Sequence, residues 1–127
     1  MGNLYDQYED VVKKGLKKAE YKQIDSAISE VVSNLTEGVK RAHIERPRLP
    51  EKTSALGKVI NLGKKAIKAL NSWRSIIDRS GWKVAAGRDE FEKAESAIKA
   101  AVQLLDDGLK EAVFYKNFKF AYDSLIV

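Results

Sequence analysis

Apolar residues recur in steps of three and four along almost the whole chain, and no stretch alternates as a strand would. That period commits the chain to helices. The most regular run is Val84, Gly87, Phe91, Ala94, Ile98, Ala101, Leu105, Gly108 and Ala112, a heptad seam in which large and small residues take turns. Such a seam lets a neighbouring backbone come close. The expected neighbour is the run Leu56, Val59, Ile60, Gly63, Ile67, Leu70, Trp73 and Ile77, which also carries Gly57 and Ala66. Phe91, Ile98 and Leu105 are then buried, with Gly87, Ala94, Ala101 and Gly108 at the contact. A glycine inside a helix costs about 1 kcal/mol against alanine. Gly87 is therefore either compensated by packing or a break, with the helix proper starting near Asp89.

Two earlier runs precede these. Leu4, Tyr5, Tyr8, Val11, Val12, Leu16 and Ala19 share one face, and Ile24, Ala27, Ile28, Val31, Leu35, Val39 and Ala42 share another. The stripes fall out of phase around Glu20 to Gln23, which reads as two helices or as one kinked helix. Between the second and third runs lies AHIERPRLPEKTS, residues 42 to 54, with the only histidine and both prolines. Pro47 and Pro50 each lack a backbone donor and bias Arg46 and Leu49 away from helical geometry. The segment reads as a connection, with Thr53 or Ser54 capping the next helix. The expected fold is all-α: a four-helix bundle, mostly antiparallel because its connections are short, with a C-terminal aromatic extension. Residues 1–127 are expected to form one domain.

Composition narrows the chemistry. There is no cysteine, so disulfides and thiolate sites are out. His43 stands among Lys40, Arg41 and Arg46 with no second histidine, and so cannot build the two-histidine motif of a helical zinc site. It reads as a surface or capping residue. Asp106 and Asp107 are adjacent, so on a helix they point about 100° apart and share no site. GKVINLGKKA fails as a phosphate loop, since Gly57 and Gly63 are six apart and Lys65 stands where Ser or Thr must be. An enzyme is not expected, and no cofactor, metal or small-molecule substrate is inferred. No apolar run reaches the roughly 20 residues of a membrane span. The acidic start MGNLYDQYED does not resemble a signal peptide, and Asp6 spoils a myristoylation motif at Gly2. Few Gln, one Met and abundant Lys and Glu lean toward a thermophilic source.

Charge carries more. Residues 53 to 88 hold eight basic side chains against one acidic, a net of +7, whereas 89 to 127 hold five against eight, a net of −3. Lys58, Lys65, Lys68 and Arg79 fall on one stripe of the third helix with Asn61, Ser72 and Ser75, flanked by Lys64 and Arg74. Long cations with small polar residues between them suit a phosphate backbone, and the stripe lacks the aromatics of single-strand binders. Either this face contacts nucleic acid, or it is solvated, or it meets the acidic Asp89, Glu90, Glu92 and Glu95. The connecting loop adds Arg46, Arg48 and Lys52. The C-terminus VFYKNFKFAYDSLIV holds five of the eleven aromatics. Phe114, Phe118, Phe120, Tyr122 and Leu125 are either a last helix docked on Tyr5, Tyr8 and Trp73 or an arm for self-association.

In size and composition over the whole chain, this Lys-rich, cysteine-free helical sequence resembles the small structural proteins of archaeal viruses. That resemblance implies a virion component that assembles with itself and contacts packaged DNA, located in the virion, or otherwise in the cytoplasm. The chain is also similar to bacteriocin immunity proteins, small basic four-helix bundles. That likeness implies a binding module for a protein partner, beside the reading as a non-specific nucleic-acid-binding module. Neither resemblance carries over a residue.

Overall fold

The computed structural model describes residues 3–15, 18–81, 83 and 86–127. The chain is all-α. The described residues form five helices in order: α1 (Leu4–Lys13), α2 (Lys18–Glu45), α3 (Thr53–Ser80), α4 (Arg88–Asp106) and α5 (Tyr115–Leu125). Two 3-10 turns, Arg46–Arg48 and Pro50–Lys52, join α2 to α3, and the described residues include no strand. Each turn has its proline in the first positions, where the missing N–H leaves no helical bond unmade.

The first two runs are separate helices, but they part earlier than the phase slip suggests. Asn3 caps α1, its side chain accepting from the Asp6 amide at 3.0 Å. Gly15 then turns the chain with φ of +58°, a left-handed conformation open to glycine. α2 runs unbroken through Glu20 to Gln23. Leu16 and Val84, both expected on apolar stripes, lie outside the described residues. Thr53 is not the cap of α3. It is the first helical residue, and its hydroxyl donates to the Pro50 carbonyl at 3.1 Å.

α3 packs most extensively on α4, then on α2. Phe91, Ala94, Ile98, Ala101 and Leu105 are buried in that contact, as the seam requires. Its two ends differ from expectation. Gly87 is the N-cap of α4 at φ +68°, and Gly108 lies past the end of the helix in a turn. Gly87 still marks a close approach: a Cβ there would stand 2.5 Å from Cδ1 of Trp73. Gly63 faces α2 and α5 instead of α4, with Val39 and the Phe118 ring against it. Trp73 gathers Tyr5, Tyr8 and Phe91 around it at centroid distances of 5.1–6.0 Å.

The C-terminal segment is not an exposed aromatic extension. α5 lies on α2 and α4, and Phe114, Phe118, Ala121 and Leu125 are fully buried in this chain's own core. The physical reason is a matched hollow: Gly38 and Gly63 leave room for the Phe118 ring. A polar contact fixes the register of α5 on α2. Buried Asn117 donates to Asn34 Oδ1 at 3.2 Å and accepts from Arg41 at 3.3 Å. Phe120 and Tyr122 are half-buried against the same core. Phe114, Phe118 and Leu125 are therefore unavailable as a self-association surface, and the docking partners are chiefly α2 and α4, with a smaller contact to α1, the helix that carries Tyr5 and Tyr8.

Candidate nucleic-acid interface

The site follows from how α3 divides its surface. Leu56, Val59, Ile60, Ala66, Leu70, Trp73 and Ile77 take the buried side. At 3.6 residues per turn, the residues between them must face outward. Lys58, Lys64, Lys65, Lys68 and Arg79 are all exposed there. Lys64, Ile67, Lys68, Asn71, Ser72 and Ser75 line one shallow groove of about 530 Å³ along this face. Asn71 did not stand out in the sequence, and Ile67, expected on the apolar run, is half-buried at the edge of this groove. The signal for Asn71 is its step of seven from Lys64, which places it two turns along the same stripe.

Among the described residues, Lys58, Lys64, Lys65, Lys68 and Arg79 form no ion pair. Arg48, Arg74, Arg88 and Lys93, by contrast, are all ion-paired. Arg79 donates only to the Ser75 carbonyl of its own helix, at 3.4 Å. Arg74, a flank of the expected stripe, is committed elsewhere. Its guanidinium forks onto Asp25 of α2 at 2.6 and 2.7 Å, a contact that raises its pKa further. Arg74 therefore ties α3 to α2 and leaves the candidate set.

The loop cations are also engaged. Arg46 donates to the Thr53 carbonyl at 3.0 Å and lies against Gly57, while Arg48 pairs with Glu45 at 3.3 Å. Lys52 reaches the Asp107 carbonyl at 3.4 Å. His43 is exposed in the last turn of α2 and is not in the lining of this groove.

The lysines are not equivalent. Lys65 borders a cleft shared with Asp89, Glu90, Glu92, Lys93 and Ser96 at the start of α4. Its positive field is partly offset there. Glu90 and Glu92 are themselves paired, with Lys93 at 3.3 Å and Arg88 at 3.1 Å. The groove around Lys64 and Lys68 has no carboxylate in its lining.

No known family, curated protein or solved structure matches the chain. No described helix is long and apolar enough to cross a membrane.

Proposed function

We propose that the protein is a non-enzymatic structural and binding protein that docks the outer face of α3 on duplex nucleic acid. The observation that carries this reading is the row of exposed, unpaired cations Lys58, Lys64, Lys65, Lys68 and Arg79. From Lys58 to Arg79 the row extends about 32 Å, close to one turn of duplex, roughly 34 Å. Cations with asparagines and serines between them contact phosphates and position a backbone without reading bases. The absence of aromatics along the row favours duplex over single strands.

The long helices supply a rigid mount. Arg46, just past the end of α2, meets Gly57, while Val39 meets Gly63 and Asp25 meets Arg74, so partners descend along α2 as they ascend on α3. That order supports an antiparallel bundle built around α2, α3, α4 and α5, with α1 laid against it. An assembly role of the kind implied by the resemblance to archaeal virion proteins then runs through shared nucleic acid, because the aromatic tail is occupied in the core.

Fluorescence anisotropy of a labelled duplex across a salt series tests the reading. Affinity is expected to fall with a log–log slope of about −3 to −4, some four phosphates at about 0.9 each. Duplexes of unrelated sequence are expected to bind alike. Retention unchanged by Lys64→Glu with Lys68→Glu would sink the proposal. Sedimentation with and without duplex tests assembly: without it the chain is expected to stay monomeric.

A further inference from the structure

The cationic row of α3 is interrupted. Lys68 and Arg79 stand eleven residues apart, about 16 Å along the helix, and the one basic side chain between them is Arg74, which Asp25 holds. Asn71, Ser72 and Ser75 occupy the outer side of this interval and line the same groove as Lys64 and Lys68. Asp78, the carboxylate of the interval, is not in that lining. Asn71 and Ser75 are exposed and Ser72 is half-buried. Among the described residues, the side chains of these three form no hydrogen bond. On α2, by contrast, Thr36 donates to the Val32 carbonyl at 2.8 Å and Asn34 to the Glu30 carbonyl at 3.0 Å. A polar side chain in mid-helix either bonds back to its own backbone in this way or looks outward. On α3 the three look outward.

What they can reach depends on the form of the duplex. A single helix with its side chains is about 10–12 Å across, which already fills a B-form major groove of about 12 Å. α3 is not single: Arg74 ties it to α2, and Lys65 shares a cleft with the first turns of α4. Flanked in this way it cannot sink into a groove and meets only what stands near the outside of the duplex. In B-form DNA that is phosphate, since the groove floors lie about 7.5–8.5 Å down, beyond short side chains such as serine and asparagine. An A-form RNA duplex offers a second group at that level, the 2′-hydroxyls displayed in a wide, shallow minor groove.

We propose that the duplex held by α3 is RNA, with Lys64 and Lys68 on one phosphate rail of the minor groove, Arg79 on the other, and Asn71, Ser72 and Ser75 on the 2′-hydroxyls between them. A serine hydroxyl and an asparagine amide both donate and accept, as a 2′-hydroxyl does. The ribose carries the contact, so no base is read. This rests on the reading of α3 as the duplex-binding face and adds the choice of sugar to it.

Fluorescence anisotropy of the full chain is compared on three duplexes of one sequence: RNA, DNA and 2′-fluoro RNA, which stays A-form but lacks the hydroxyls. RNA is expected to bind about tenfold more tightly than DNA, the scale of one or two hydrogen bonds, and 2′-fluoro RNA about as weakly as DNA. The salt slope is expected to be the same on RNA and DNA, because the cations in contact are the same. Asn71→Ala with Ser75→Ala puts good helix formers at exposed positions and is expected to abolish the preference while leaving DNA binding and the salt slope where they were. DNA bound as tightly as RNA would overturn this inference and leave the α3 reading standing, whereas binding to neither would overturn both. 2′-Fluoro RNA bound as tightly as RNA would also overturn it, since duplex shape and not the hydroxyl would then set the preference. That comparison uses the parent chain and holds whatever the double variant does to folding.

Discussion

α5 and the outer face of α3 each concentrate one kind of residue, aromatic in the first and cationic in the second. The structure treats them in opposite ways. Phe114, Phe118 and Leu125 are used up by the fold, enclosed by α2 and α4. Lys58, Lys64 and Lys68 are exposed and form no ion pair among the described residues. An aromatic cluster gains by burial wherever it finds a surface, including its own chain's core, so its presence does not announce a partner. A row of cations repels itself and gains only from anions. Where the chain supplies no carboxylate, the anion must come from outside or from salt. The contrast makes unpaired charge a better sign of function here than unpaired grease.

The sharpest way to break this comparison is at Phe118. If α5 is core, Phe118→Ala leaves a hollow beside Gly38 and Gly63 and costs about 3–5 kcal/mol. Thermal melting checks it, and a melt like the parent's would return α5 to the status of an arm. Deleting residues 117–127 is expected to unfold the protein. The next largest effect lies on the seam. Ala101 is fully buried between α4 and its neighbours, so Ala101→Leu overpacks the contact and costs about 1–3 kcal/mol in denaturant titration.

The seam was the most legible part of the fold. Phe91, Ala94, Ile98, Ala101 and Leu105 repeat with a period that only a buried helix face explains. Its ends were not legible, because Gly87 and Gly108 fit the period while adopting left-handed turns that period alone does not reveal. The break at Gly15 was masked by apolar residues continuing past it, and the phase slip pointed some residues too late. The destination of α5 depended on hollows at Gly38 and Gly63, which arise only once three helices meet. On α3 the cationic row was readable from spacing. The loss of Arg74 to Asp25, 49 residues away, was not, because a long-range pair leaves no local trace.

A smaller effect separates core from surface at the α1 end. The Tyr8 hydroxyl donates to the Lys83 carbonyl, and burial, reinforced by Tyr5, Tyr21 and Glu9, pushes its pKa up to about 12. The folded protein thus holds this proton more tightly than the unfolded chain, where tyrosine titrates near 10. Its contribution is full below about pH 10 and is lost as pH rises through about 12. Tyr8→Phe is expected to cost about 1 kcal/mol at neutral pH and to flatten the alkaline limb of the stability curve. An alkaline limb identical in the two proteins would assign that unfolding to other groups.

The smallest change in stability belongs to α3, and it comes with a large change in binding. Lys68→Ala removes an exposed side chain that forms no ion pair among the described residues, so stability should change by less than about 0.5 kcal/mol. The salt slope for duplex binding should fall by about 0.9, one phosphate contact. Lys65→Ala sharpens the point, because Lys65 shares its cleft with Asp89, Glu90 and Glu92. Those carboxylates repel phosphate and already screen Lys65, so its loss should reduce the slope by clearly less. Glu90→Gln should then strengthen duplex binding, since it removes one repelling charge and frees Lys93 from its pair. Equal slopes for Lys65→Ala and Lys68→Ala, with no gain from Glu90→Gln, would mean that the duplex lies over the whole row. In that case the groove around Lys64 and Lys68 has no privileged place in recognition.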